Sequence, residues 1–176
     1  MDAGYKQHPQ VLQNQRDGTF KDVTASLGGD LLHEGLGRGA AFGSFDNDGD
    51  IDVVVNILDG TPWLLRCDAP PDAQWILVRL IGTRSNRDGL GARIIVRAGG
   101  LEQMQEVHQS GGFCSSNDPR AYFGLRSSEV IDELEVHWPS GLAQKFAHVK
   151  SRQIVTIKEG DAGLHVWPPQ AAGPKK

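Results

Sequence analysis

The chain has 176 residues, a formal net charge of −4, 39% hydrophobic residues, 22 glycines and 9 prolines. That length suits one ordinary domain, or a small domain with a fragment of another. The acidity is mild and concentrated in one loop, which argues against a nucleic-acid partner. No apolar stretch approaches the roughly 20 residues that a membrane span needs.

Met1 to Gln10 is polar and holds no signal-peptide core, so the chain is either intracellular or lacks its upstream part. Val11-Leu12 reads as a strand, Asp17-Gly18 as a hairpin turn and Thr19-Phe20 as the return strand. Ser26 to Gly37 is a Gly-rich loop. Gly39 to Phe45 is a small, apolar strand; its glycines miss dinucleotide-binding spacing and suit close packing on a neighbour. Ile51 to Ile57 is a β-branched strand, and Pro62 to Cys67 a third short one. Asp68 to Asp72, with Pro70-Pro71, reads as a linker.

Beyond the linker, Trp75 to Ile81 is a strand and Thr83 to Gly91 a polar loop. Ala92 to Ala98 and Leu101 to Gln109 form a hairpin across Gly99-Gly100. Arg120 to Leu125, Ile131 to Trp138, Gln144 to His148 and Gln153 to Lys158 complete the strands. No segment has a helical period of useful length. Asp161 to Lys176, with three prolines, reads as a loose tail. The pattern predicts an all-β chain: short strands flanking an acidic loop over 1–68, an antiparallel β-sandwich-like domain over 69–160, and a Pro-rich tail over 161–176.

The chemistry sits between the first two long strands. Asp46, Asp48, Asp50 and Asp52 crowd four carboxylates into seven residues. Such a cluster repels itself unless a cation or full solvation relieves it. With Ser44 as position 1, oxygen side chains fall at positions 1, 3, 5 and 9, and Gly49 stands at position 6, where calcium loops turn sharply. Position 12 is Val55, which cannot supply the bidentate carboxylate of an EF-hand, and the flanks are strands. The expected metal residues are Ser44, Asp46, Asp48, Asp50 and Asp52, the expected ion is Ca2+, and the Ser44 hydroxyl in place of a carboxylate should lower affinity.

Other constellations read more simply as structure. Cys114 with His108 lacks an orienting third group for nucleophilic catalysis. Glu133 and Glu135 share one strand face and read as a solvated face before a glycosidase pair. Trp75, Trp138 and Phe113 read as packing before a sugar platform. Arg84, Arg87 and Arg93 either meet an acidic partner or close on Asp88. Cys67 and Cys114 are compatible with a disulfide or with two thiols.

Phe42-Gly-Ser-Phe-Asp-Asn-Asp-Gly-Asp-Ile-Asp-Val-Val-Val55 resembles an FG-GAP (VCBS-type) repeat, the calcium-binding unit of integrin-like propellers. Residues 75 to 157 resemble the ASPIC/UnbV domain of the cartilage acidic protein-like family. The segments that carry this are Gly82 to Arg93, Gly111-Gly112, Asp118-Pro-Arg120, Phe123-Gly-Leu125 and Val136-His-Trp-Pro-Ser-Gly141. The resemblance implies that residues 1–68 form partial β-propeller blade(s) with a calcium loop, that calcium is held by Asp46, Asp48, Asp50 and Asp52, that relatives carry further repeats upstream, and that the full-length protein is extracellular or in the cell envelope. It implies a non-catalytic adhesion or interaction module with a protein or carbohydrate partner. The alternative is an accessory domain of a biosynthetic or carbohydrate-active enzyme.

Overall fold

The computed structural model describes residues 5–167. β1 (Leu12–Asn14) and β2 (Phe20–Asp22) make a short antiparallel hairpin. Two 3-10 turns, Thr24–Ser26 and Gly29–Leu32, lie in the Gly-rich connection. β3 (Gly37–Gly43), β4 (Asp52–Ile57) and β5 (Trp63–Leu65) form a three-stranded antiparallel sheet. The acidic loop joins β3 to β4.

The rest is a two-sheet sandwich. Its strands are β6 (Gln74–Ile81), β7 (Arg93–Ala98), β8 (Leu101–Glu106), β9 (Ala121–Arg126), β10 (Val130–His137), β11 (Ala143–Lys150), β12 (Gln153–Lys158) and β13 (Leu164–Trp167). One sheet has the order β11-β10-β7-β8, the other β13-β12-β6-β9. Alternate residues of each strand point inward, as a period of two requires. Ile76, Val78 and Leu80 from β6 meet Ile94 and Val96 from β7, Phe123 and Leu125 from β9, and Leu134 and Val136 from β10 in one core.

Two sequence expectations are corrected. The sandwich is not purely antiparallel: β12 runs parallel to β6, in register from Gln153↔Ile76 to Lys158↔Ile81. A parallel neighbour needs a long crossover, and here β7 to β11 supply it: β7, β8, β10 and β11 build the opposite sheet, and β9 pairs with the other edge of β6. The segment read as a loose tail also begins too early. Leu164–Trp167 is a strand paired with β12, because Leu164 packs against the core and Val166 pairs with Val155. The remainder of that segment, 168–176, lies outside the described residues.

The outer face of the β13-β12-β6-β9 sheet carries a second apolar cluster of Trp75, Leu77 and Ile154, with Tyr122 against it. This explains the unbroken apolar run Trp75-Ile-Leu-Val78: all four residues are buried. A strand covered on both faces loses its alternation. The acidic loop supplies part of the outer cover.

Candidate functional site

The acidic loop is braced from within. The buried Ser44 Oγ accepts the Gly49 N–H at 3.2 Å. Asp52, also buried, accepts the Phe45 N–H at 3.1 Å with one oxygen and the Cys67 N–H at 3.0 Å with the other. These two residues fix where the loop leaves β3 and enters β4. Asp46 Oδ1 accepts from the Asp48 N–H at 3.2 Å, and Asp48 Oδ1 from the Asp50 N–H at 2.9 Å, the Asx-turn geometry that Asp favours. Asp50 Oδ2 takes the Ala69 N–H at 2.6 Å. One oxygen each of Asp46, Asp48 and Asp50 thus receives no backbone N–H among the described residues.

The carboxylates crowd one another electrostatically. Burial pushes the Asp48 carboxyl above its ordinary range, and the charges of Asp46 and Asp50 push it further. In chemistry the donor set fits a hard cation. In position it is open: among the described residues, no three Asp, Glu, His or Cys side chains converge to hold an ion. Of the five expected ligands, Ser44 and Asp52 serve the backbone with every side-chain oxygen, and Asp46, Asp48 and Asp50 each keep one oxygen that takes no backbone N–H among the described residues.

The sandwich grips this loop from below. Gly49 has φ +97, and a Cβ there would lie 1.8 Å from Trp75 Cε2. Only glycine satisfies both demands. Arg120, just before β9, donates from Nη1 to Asn47 Oδ1 at 2.6 Å and from Nη2 to the Ser44 carbonyl at 3.0 Å. Its Nε bonds Asp118 Oδ2 at 2.7 Å, which fixes the guanidinium plane. Tyr122 lies alongside: burial raises its hydroxyl, and Asp50, Cys67 and Asp48 add to the rise.

The segment before β9 also seals the free edge of β3. Ala40 N–H donates to Ser115 Oγ at 3.1 Å, Phe42 N–H to Asn117 Oδ1 at 3.1 Å, and Asp118 N–H to the Phe42 carbonyl at 3.0 Å. Polar side chains here stand in for a partner strand and close an edge that would otherwise invite pairing. Gly39 permits the approach, since a Cβ there would meet the Cys114 carbonyl oxygen at 2.2 Å. A cleft of about 320 Å³ lies between the two units, lined by Phe42, Ile51, Leu77, Gln105, His108 and Tyr122 among others.

Sequence reading missed Glu159. This buried carboxylate accepts the N–H groups of Thr83, Arg84 and Ser85 at 2.8, 2.7 and 2.8 Å, and the Ser85 hydroxyl at 2.8 Å. The Ser140 hydroxyl donates to it as well. Burial alone raises such a carboxyl; the Ser140 hydroxyl and the three amides outweigh it and hold Glu159 well below the usual range. Three consecutive amides on one carboxylate form an anion nest filled by the chain itself. The separated segments Gly82 to Arg93 and Val136 to Gly141 therefore meet at one structural staple. A lone Glu at a strand end gives no local signal of this.

The remaining candidates fall where simple packing puts them. His108 Nδ1 bonds the Glu106 carbonyl at 2.9 Å, and no hydrogen bond joins it to Cys114. Glu133 and Glu135 share Arg97 and Lys145, with Glu135 at 3.3 Å from each cation. Trp75 and Trp138 are buried, with Trp138 Nε1 donating to Gln144 Oε1 at 2.6 Å, whereas Phe113 is 81% exposed; they form no platform. Cys67 and Cys114 are free thiols. Arg84 and Arg87 are exposed, and neither forms a salt bridge with Asp88. Among the described residues no helix is long and apolar enough to cross a membrane.

Comparison with known proteins bears on the sandwich. A stretch of 50 residues, 28% of this chain, is 40% identical to cartilage acidic protein 1 of Xenopus tropicalis, and the match covers 8% of that protein. The chain thus matches a small part of that relative's length. Residues 82–164 match the family described as ASPIC and UnbV. These residues run from the Glu159-bound loop to the start of β13, so β6 and the acidic loop precede the matched stretch.

Proposed function

We propose that the chain is a non-catalytic, extracellular interaction module in which the acidic loop takes a calcium ion. The observation that carries this is the division of labour within the loop. Ser44 and Asp52 are spent on backbone N–H groups, while Asp46, Asp48 and Asp50 each retain a carboxylate oxygen on one short loop. Calcium accepts six to eight oxygens in flexible geometry, so carboxylates, the Asp50 carbonyl and water together suffice. Binding requires Asp46 and Asp48 to turn inward about a frame that is already fixed.

In this reading the β3-β4-β5 sheet is an FG-GAP-type unit, and calcium acts structurally by relieving carboxylate repulsion. Among the described residues the groups weighed for chemistry serve structure, with Glu133 and Glu135 sharing Arg97 and Lys145 and His108 bonding the Glu106 carbonyl, which favours the interaction role over the accessory-enzyme role. Partner recognition falls to the loops around the sandwich. Calorimetric titration of calcium into chelator-treated protein tests the reading. Heat saturating at one ion per chain, with magnesium far weaker, is expected. Absence of heat at millimolar calcium removes the ion from the function.

A further inference from the structure

Arg120 reaches across from the sandwich to the acidic loop, yet it bonds none of the four loop carboxylates. Its partners there are a backbone carbonyl, Ser44 O, and a neutral amide, Asn47 Oδ1. A guanidinium placed to cancel charge would take a carboxylate in a bidentate pair. This one uses Asp118 for that purpose and offers its outer N–H groups to the loop frame. A cation on Asp46, Asp48 and Asp50 would therefore not compete with Arg120 for a partner.

The two contacts fall at telling positions. Ser44 is the first residue of the loop after β3, and Asn47 has φ +61, the left-handed conformation that Asn tolerates better than most side chains. Arg120 thus holds the point where the loop reverses. Gly49, two residues on, lies against Trp75 of β6. Trp75 in turn packs with Leu77, Ile154 and Tyr122. The loop and the sandwich sheet share a continuous set of contacts with Arg120 and Trp75 at its two ends.

We propose that Arg120 is the positioning residue that couples the acidic loop to the ASPIC/UnbV domain, so that ordering of the loop is transmitted to β6 and the domain in turn presets the loop for its ion. The ion-dependent half rests on the calcium reading above; the mechanical half does not. Coupling of this kind is reciprocal by thermodynamic necessity.

The test is amide hydrogen exchange on the full chain, with Arg120→Ala, Arg120→Lys and Asn47→Ala, each with and without calcium. Without calcium, Arg120→Ala should speed exchange at residues 45–50 by roughly ten-fold, as expected for losing hydrogen bonds to a charged group. Arg120→Lys should not rescue it, because an ammonium lacks the planar fork. Asn47→Ala should shift the same amides in the same direction and spare β10. With calcium, the wild type should slow exchange in β6 as well as in the loop, and Arg120→Ala should lose the β6 response.

Unchanged loop exchange in both Arg120→Ala and Asn47→Ala overturns the proposal. So does a β6 calcium response that survives in Arg120→Ala. If Arg120→Ala does not fold, the Arg120→Lys and Asn47→Ala results decide in the same way. If wild-type protein shows no calcium effect while the variants still loosen the loop, the latch stands and the calcium reading falls.

Discussion

Arg120 Nη2 donates to the carbonyl of Ser44 at 3.0 Å, joining residues 76 positions apart. The contact ties the end of β3 to the start of β9. It places the acidic loop over the outer face of a sheet whose inner face is the sandwich core. The loop, which reads in isolation as a solvated metal loop, is therefore also a piece of tertiary packing.

Gly49→Ala tests that packing. The positive φ and the approach to Trp75 both oppose a side chain. Alanine should force the loop off Trp75 and cost about 2 kcal/mol, from strain at the left-handed position together with lost packing. Thermal unfolding should show a melting temperature lower by roughly 5 °C, with a shift in tryptophan fluorescence. A wild-type melting temperature would mean the loop does not bear on β6.

Glu159→Gln tests the staple. The amide keeps an acceptor but loses the charge that Thr83, Arg84, Ser85 and Ser140 were arranged around. The expected cost is about 3 kcal/mol, since hydrogen bonds to a charged group are the stronger kind. The pH dependence follows from the direction of the shift. The folded carboxyl is held below its unfolded value of about 4.3, so its contribution is complete above that value and is lost as pH falls toward the folded one. Denaturant midpoints should thus decline below about pH 5 in the wild type and less steeply in Glu159→Gln.

Asp48→Asn separates stability from ion binding. The folded Asp48 carboxyl lies above its unfolded range, so the ionised side chain destabilises the fold at neutral pH. Removing the charge should raise the melting temperature of the metal-free protein and abolish most of the calcium response. The metal-free advantage should shrink as pH falls through the wild-type carboxyl's folded value, where Asp48 is protonated. A variant less stable than wild type without calcium contradicts this account of the crowding.

Much of the strand pattern was legible because alternation and turn residues are local. The β7–β8 hairpin across Gly99-Gly100 is such a case. The parallel β6–β12 pair was not, since an edge partner is chosen by topology and not by the strand's own residues. β13 was hidden by the prolines beyond it. In the candidate site, the Asp spacing was plain, but the roles within it were not. Asp52 looks like Asp46 in sequence and differs only because Phe45 and Cys67 point their amides at it. Asp118-Pro-Arg120 stood out as part of a family resemblance, with nothing local to say that its arginine serves the acidic loop.

In the function proposed, Asp46, Asp48 and Asp50 hold calcium on a loop fixed by Ser44, Asp52 and Arg120. A crystal structure of the full chain grown in millimolar calcium, with anomalous scattering collected for the ion, tests it most directly. One anomalous peak at about 2.3–2.6 Å from oxygens of those three residues is expected, with the Ser44, Asp52 and Arg120 contacts unchanged. No peak within the loop, with the three carboxylates turned to solvent, would contradict it.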